Sequence, residues 1–140
     1  MDKVFAKNIK CRLFSSNSFK LNTKKFINFY DYYEIKPNEK RFLITNFKNS
    51  PHFKSLDSDN FENYKNYINL SNQKDHSLEQ FQLLIKNFDE KMLEKYKIEL
   101  KEIEFRNKKF FLIIDGLHRA AIYFFETNNK FLPEKYLKIY

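Results

Sequence analysis

Five consecutive residues, Asp115-Gly116-Leu117-His118-Arg119, put a carboxylate, an imidazole and a guanidinium beside the only glycine in the chain. The apolar run Phe110-Phe111-Leu112-Ile113-Ile114 precedes them, and Ala120-Ala121-Ile122-Tyr123-Phe124-Phe125 follows. That order predicts a buried strand, one tight turn and a helix. Glycine serves a turn that needs positive φ or a ligand held close to the backbone. A helix beginning there offers free N–H groups and the positive end of its dipole, which together attract an anion. His118 and Arg119 add side-chain donors on the same first turn, and arginine's planar fork matches phosphate oxygens better than a lysine point charge does. The plain alternative is a strand–helix connection with a satisfied polar turn. The residue types alone leave both readings open.

The other reactive side chains are sparse. The three histidines, His52, His76 and His118, share no close metal-ligand spacing, and a single cysteine cannot build a zinc site. Cys11 cannot form an internal disulfide, which fits a reducing compartment. Its flanking Lys10 and Arg12 make a thin case for a nucleophile. His52 follows Ser50-Pro51 and reads as a loop residue, and His76 reads as structural, just ahead of a helix cap. Tyr30, Tyr32, Tyr33, Tyr64 and Tyr67 could stack on bases. In a chain without tryptophan they read mainly as core.

Composition narrows the class. A chain of 140 residues, 42% of them hydrophobic, is one domain with a real core. The formal charge is +8, but lysine is spread along the whole chain. No basic run of the 5–8-residue kind appears. The charge argues weakly for an anionic ligand and more weakly for nucleic acid, which is not the expected partner. No apolar run approaches the roughly 20 residues needed to span a bilayer. No signal-peptide core opens the chain, so a cytoplasmic protein without membrane contact is expected.

The elements that must position the turn follow from pattern. Residues 1–30 are basic with scattered phenylalanines and read as an arm packing onto a domain over 31–140. Short strands are expected at 31–35 and 42–44 around a Pro-Asn turn, and a short helix within 57–70 from Phe61, Tyr64, Tyr67 and Ile68. Ser77-Leu78-Glu79-Gln80 fits a capping box, and Leu78, Phe81, Leu84, Ile85 and Phe88 form one apolar helical face. Ile98-Glu99-Leu100 and Ile103-Glu104-Phe105 alternate as a strand does, and Arg106-Asn107-Lys108 reads as a hairpin loop. A helix from Gly116 to about Thr127 and a final strand at 136–140 complete a mixed α/β, α+β order.

Asp-Gly-x-His-Arg between a strand and a helix resembles the phosphate-binding turn of the ParB/sulfiredoxin superfamily. The resemblance covers roughly residues 31–127, with 45–76 fitting as an insertion. Sulfiredoxins place a cysteine immediately before the His-Arg pair, where this chain has Leu117, so their thiol chemistry is not implied. Partitioning ParB proteins carry Gly-Glu-Arg-Arg and a following DNA-binding domain, for which too few residues remain. The free-serine kinases of this fold carry Asp-Gly-His-His-Arg, matched here except at Leu117. They also carry Lys-Pro-x-Glu, whose glutamate is the catalytic base; the chain has Lys36-Pro37-Asn38-Glu39.

The resemblance implies a small-molecule kinase. It would move a phosphoryl group from ATP or ADP, with CTP as a further option, to a hydroxyl of a small polar metabolite such as serine or a surface-glycan precursor. Glu39, Asp115 and His118 are the expected catalytic residues. Gly116, Leu117, His118 and Arg119 are the expected phosphate-binding ones. Asp115 repels a polyanion unless Mg²⁺ bridges them or unless it only braces the turn. The alternatives are a nucleotide-binding switch without transfer and a nucleic-acid-associated protein. A homodimer stays open.

Overall fold

The computed structural model describes residues 3–15, 32–35, 41–70, 77–105 and 107–140. Strands are β1 (Lys3–Phe5), β2 (Ile9–Ser15), β3 (Tyr32–Ile35), β4 (Arg41–Asn46), β5 (Ile98–Phe105), β6 (Lys108–Asp115), β7 (Phe131–Pro133) and β8 (Leu137–Ile139). Helices are α1 (Pro51–Ser58), α2 (Glu62–Leu70), α3 (Leu78–Asn87), α4 (Met92–Lys95) and α5 (Leu117–Thr127). Six strands form one sheet in the order β3-β4-β2-β6-β5-β8, and β1 pairs with β7 as a separate antiparallel ribbon. The β2–β6 and β5–β8 pairs are parallel and the other pairs are antiparallel. The class is mixed α/β, of the α+β kind the element order predicts.

The arm expected over residues 1–30 is corrected for its first half. β2 lies inside the sheet between β4 and β6. Ile9, Cys11 and Leu13 are fully buried on one face. Lys10 and Arg12 alternate with them, and a strand sends successive side chains to opposite faces. That strict alternation was the signal, and the scattered phenylalanines obscured it.

α5 is enclosed on nearly every side: Ala120, Ala121, Ile122, Tyr123 and Phe124 are all buried. A helix apolar all round belongs in a core rather than on a surface. It packs against α1, and Leu56 of α1 with Tyr64, Tyr67 and Ile68 of α2 joins the same core as β2 and α5. Residues 45–70 of the stretch expected as an insertion therefore supply part of the central packing. The short helix expected within 57–70 is α2, and the stretch at Ser50-Pro51-His52, expected as a loop, instead opens α1. Ser50 caps α1 through Phe53 N–H (3.1 Å), and Asp59 closes it in the left-handed region at φ 52°. Asn60 Oδ1 then accepts from Glu62 N–H (3.0 Å) at the start of α2.

Elsewhere local pattern and fold agree. Ser77 Oγ accepts from Gln80 N–H (3.1 Å), so Ser77 is the cap of α3. Asn107 turns the β5–β6 hairpin at φ 63°, and Asn128 ends α5 at φ 54°. Among the described residues no helix is long and apolar enough to cross a membrane.

Candidate functional site

β6 delivers Asp115 to the sheet's end, opposite Glu99 and beside a register shift between Glu99 and Leu100. Gly116 follows at φ 101°, ψ 24°, and its carbonyl accepts from Ala120 N–H (2.8 Å) to open α5. Gly116, as the N-cap residue, has no side chain with which to cap this end. The N–H groups of Leu117, His118 and Arg119 have no carbonyl partner within the helix, as the first turn of any helix does not.

Two constraints converge on Gly116. Its φ lies where only glycine rests without strain. A Cβ there would also meet Arg119 Nη2 at 3.0 Å and Ile98 Cα at 3.4 Å. Arg119 thus folds back over the glycine. Its Nη2 donates to the Lys97 carbonyl (3.2 Å) and to Asp115 Oδ2 (3.3 Å). The arginine side chain is 21% exposed and the aspartate 62%. Arg119 Nε is buried and has no hydrogen-bond partner among the described residues.

His118 turns toward the protein. Its Nε2 shares a 2.9 Å hydrogen bond with the Tyr64 hydroxyl, and its ring meets those of His52 (centroids 4.5 Å) and Phe81 (5.1 Å) edge-on. His52 is itself buried against Tyr64 and Tyr67. A cavity of about 220 Å³ opens between the glycine turn and α3, lined by Asp115, Gly116, His118 and Arg119 on one side. Ser77, Gln80, Phe81 and Leu84 line the other, with Tyr64 of α2. Ligand pockets usually measure roughly 300–1,000 Å³. This one suits a phosphate group or a small polar fragment, not a whole nucleotide.

Burial pushes the Tyr64 phenol up to about 12. Burial, followed by the hydrogen bond it donates to Glu90 Oε2 (2.7 Å), does the same for Tyr136. Both raised values favour the protonated form in the fold. Their contribution is complete below the ordinary tyrosine value of 10.0 and is lost as pH rises through about 12. Thermal melts across that window therefore show a falling melting temperature, and Tyr64→Phe makes the fall shallower. An unchanged slope in that variant would contradict a buried, proton-holding Tyr64.

The turn residues expected at the site come together, with distinctions. Asp115, Gly116, His118 and Arg119 line one cavity, whereas the Leu117 side chain packs against the core and leaves only its backbone N–H for a ligand. Glu39 and the whole Lys36–Glu39 motif lie outside the described residues, as do His76 and Tyr30. Tyr64, Ser77, Gln80 and Phe81 were not expected as site residues. Ser77 and Gln80 were legible only as a helix start, and Tyr64 and Phe81 only as apolar positions.

Among the described residues no group of three or more His, Cys, Asp or Glu could hold a metal. Among the described residues Asp115 alone offers an exposed carboxylate at the cavity. Mg²⁺ commonly takes one or two carboxylates and completes its shell with phosphate oxygens and water, so Asp115 fits a phosphate-dependent bridge and not a standing metal centre. No family model matches the chain, and neither a curated protein nor a solved structure does.

Proposed function

We propose that the cavity at the head of α5 holds the phosphate end of a nucleotide. The protein then acts as a nucleotide-dependent small-molecule kinase of ParB/sulfiredoxin type, with a hydroxyl of a small polar metabolite as acceptor. One observation carries the reading: a single positive-φ glycine, which brings no capping side chain, sets the start of α5 and Arg119 at a cavity of phosphate size. The first-turn N–H groups and Arg119 would bind and orient phosphate oxygens. Asp115 would hold Mg²⁺ against them, and that ion would offset phosphate charge. Glu39 would take the proton from the attacking hydroxyl. His118, tied to Tyr64, would shape the cavity wall and donate its backbone N–H.

The second reading is a nucleotide-binding switch without transfer. The closed Asp115–Arg119 contact and the inward His118 favour it, because both leave fewer side chains free for chemistry. A thermal-shift series with ATP, ADP and CTP, with and without Mg²⁺, tests the shared premise. A ligand at about 100 times its Kd stabilises the native state by about 2.7 kcal/mol. Arg119→Ala removes that gain. No shift with any nucleotide sinks both readings. Phosphoryl transfer to serine or another hydroxyl compound, lost in Glu39→Gln while nucleotide binding persists, selects the kinase. Binding without transfer to any acceptor selects the switch.

A further inference from the structure

A second surface, independent of the cavity, carries its own chemistry. In the β1–β7 ribbon Phe5 lies opposite Phe131. Their rings meet edge-on with centroids 6.0 Å apart, and Phe5 is 40% exposed. Lys3 Nζ stands over both rings, at 5.4 Å from Phe5 and 4.7 Å from Phe131, and Lys7 Nζ stands over Phe5 at 5.9 Å.

Hydrogen bonds extend this ribbon sideways. Ala6 N–H donates to the Lys130 carbonyl (2.8 Å), and Asn46 Nδ2 donates to the Lys7 carbonyl (3.1 Å). Two residues beyond Asn46, Lys48 Nζ stands over Phe53 at 5.6 Å. The three segments so joined, residues 3–7, 46–54 and 128–133, hold five lysines and no aspartate or glutamate. Three of these lysines, distant in sequence, thus stand over rings of the joined segments: Lys3 and Lys7 at Phe5 and Phe131, and Lys48 at Phe53.

We propose that this surface binds single-stranded nucleic acid. Phosphates answer the lysines, and unpaired bases answer the rings. A lysine over an exposed ring gains less than a base stacked there. Binding therefore exchanges partners: each ammonium moves from ring to phosphate, and a base takes the vacated face. Duplex DNA keeps its base faces stacked inside the helix and can answer only the charge.

Fluorescence anisotropy of labelled oligothymidylate and oligouridylate with the full chain at low salt is the test. Both strands bind, and log affinity falls with log salt by about 0.7 per phosphate contacted. Phe5→Ala weakens binding by roughly tenfold and leaves the salt slope unchanged, as loss of one stacking platform requires. Phe5 is 40% exposed and packs on Phe131 alone among the described rings, so that variant loses some melting temperature but stays folded at the assay temperature, which its melting curve checks. Lys3→Gln, Lys7→Gln and Lys48→Gln combined flatten the slope. A preference of DNA over RNA, or the reverse, identifies the source without touching the proposal.

Absence of binding overturns it. So does binding that Phe5→Ala leaves intact, which would be charge attraction alone. Equal or tighter binding of duplex DNA or of phosphatidylserine vesicles through the same lysines overturns it too. Displacement by ATP at constant ionic strength would place the strand in the cavity and overturn it as well.

Discussion

Gly116→Val lowers the melting temperature by roughly 3–10 °C and removes nucleotide binding from the fraction that stays folded. The glycine sits at φ 101°, and a β-branched residue held there costs about 1–3 kcal/mol. The added carbon also meets Arg119 Nη2 at 3.0 Å and the Ile98 backbone at 3.4 Å. Arg119 can swing away, since it is the end of a flexible side chain. The Ile98 backbone, fully buried and paired with Leu137 in the sheet, is already in ordinary contact with that carbon and leaves no room on its side. Relief therefore displaces the guanidinium from Asp115 and Lys97 and tilts the start of α5, so stability and phosphate contact fall together. Thermal melting and a nucleotide titration on the same sample check this. A variant that melts like the parent would show that the turn does not need glycine. One that is destabilised yet binds normally would remove the turn from the binding site.

Phe81→Ala is expected to cost about 3–5 kcal/mol, the usual range for truncating a fully buried aromatic ring. Phe81 is 2% exposed and meets four rings: Tyr64 (4.6 Å), His118 (5.1 Å), Phe61 (5.8 Å) and His52 (6.1 Å). It is the main contact by which α3 closes the cavity, so its loss frees His118 on one side while the Tyr64 hydrogen bond still holds the other. Domains are commonly stable by only about 5–15 kcal/mol, so this one change removes a large share. Denaturant unfolding measures it. Phe81→Leu, nearer in volume, leaves a smaller cavity and should cost less than Phe81→Ala. A loss under 1 kcal/mol for Phe81→Ala would mean that α3 is not held through this ring.

Much of the frame around the cavity was legible. Ser77 reads as a cap because its hydroxyl needs only an N–H three residues on, and Asn107 and Asn128 read as breaks because asparagine tolerates positive φ. The strand–glycine–helix unit reads from periodicity on either side of Gly116. β2 was misread because its alternation runs for only five residues among scattered phenylalanines. α1 was not legible because Ser50-Pro51 reads equally as a turn or as a capped helix start with proline in its first turn, and only the packing of α1 decides for the helix. β7 was missed because three residues carry no measurable period.

By itself, the sequence determined where the turn lies, that glycine opens it, and which residue types stand beside it. These are local properties, decided by backbone sterics and by spacings of two, three and four residues. Only the tertiary structure decided where those side chains point. His118 meets Tyr64 across 54 residues, and Arg119 reaches the Lys97 carbonyl across 22. The fold likewise brought Lys3 and Lys7 over Phe5 and Phe131, and joined that ribbon through Asn46 to the segment where Lys48 stands over Phe53. Contacts between distant segments depend on how layers of strands and helices pack, and no local spacing encodes that.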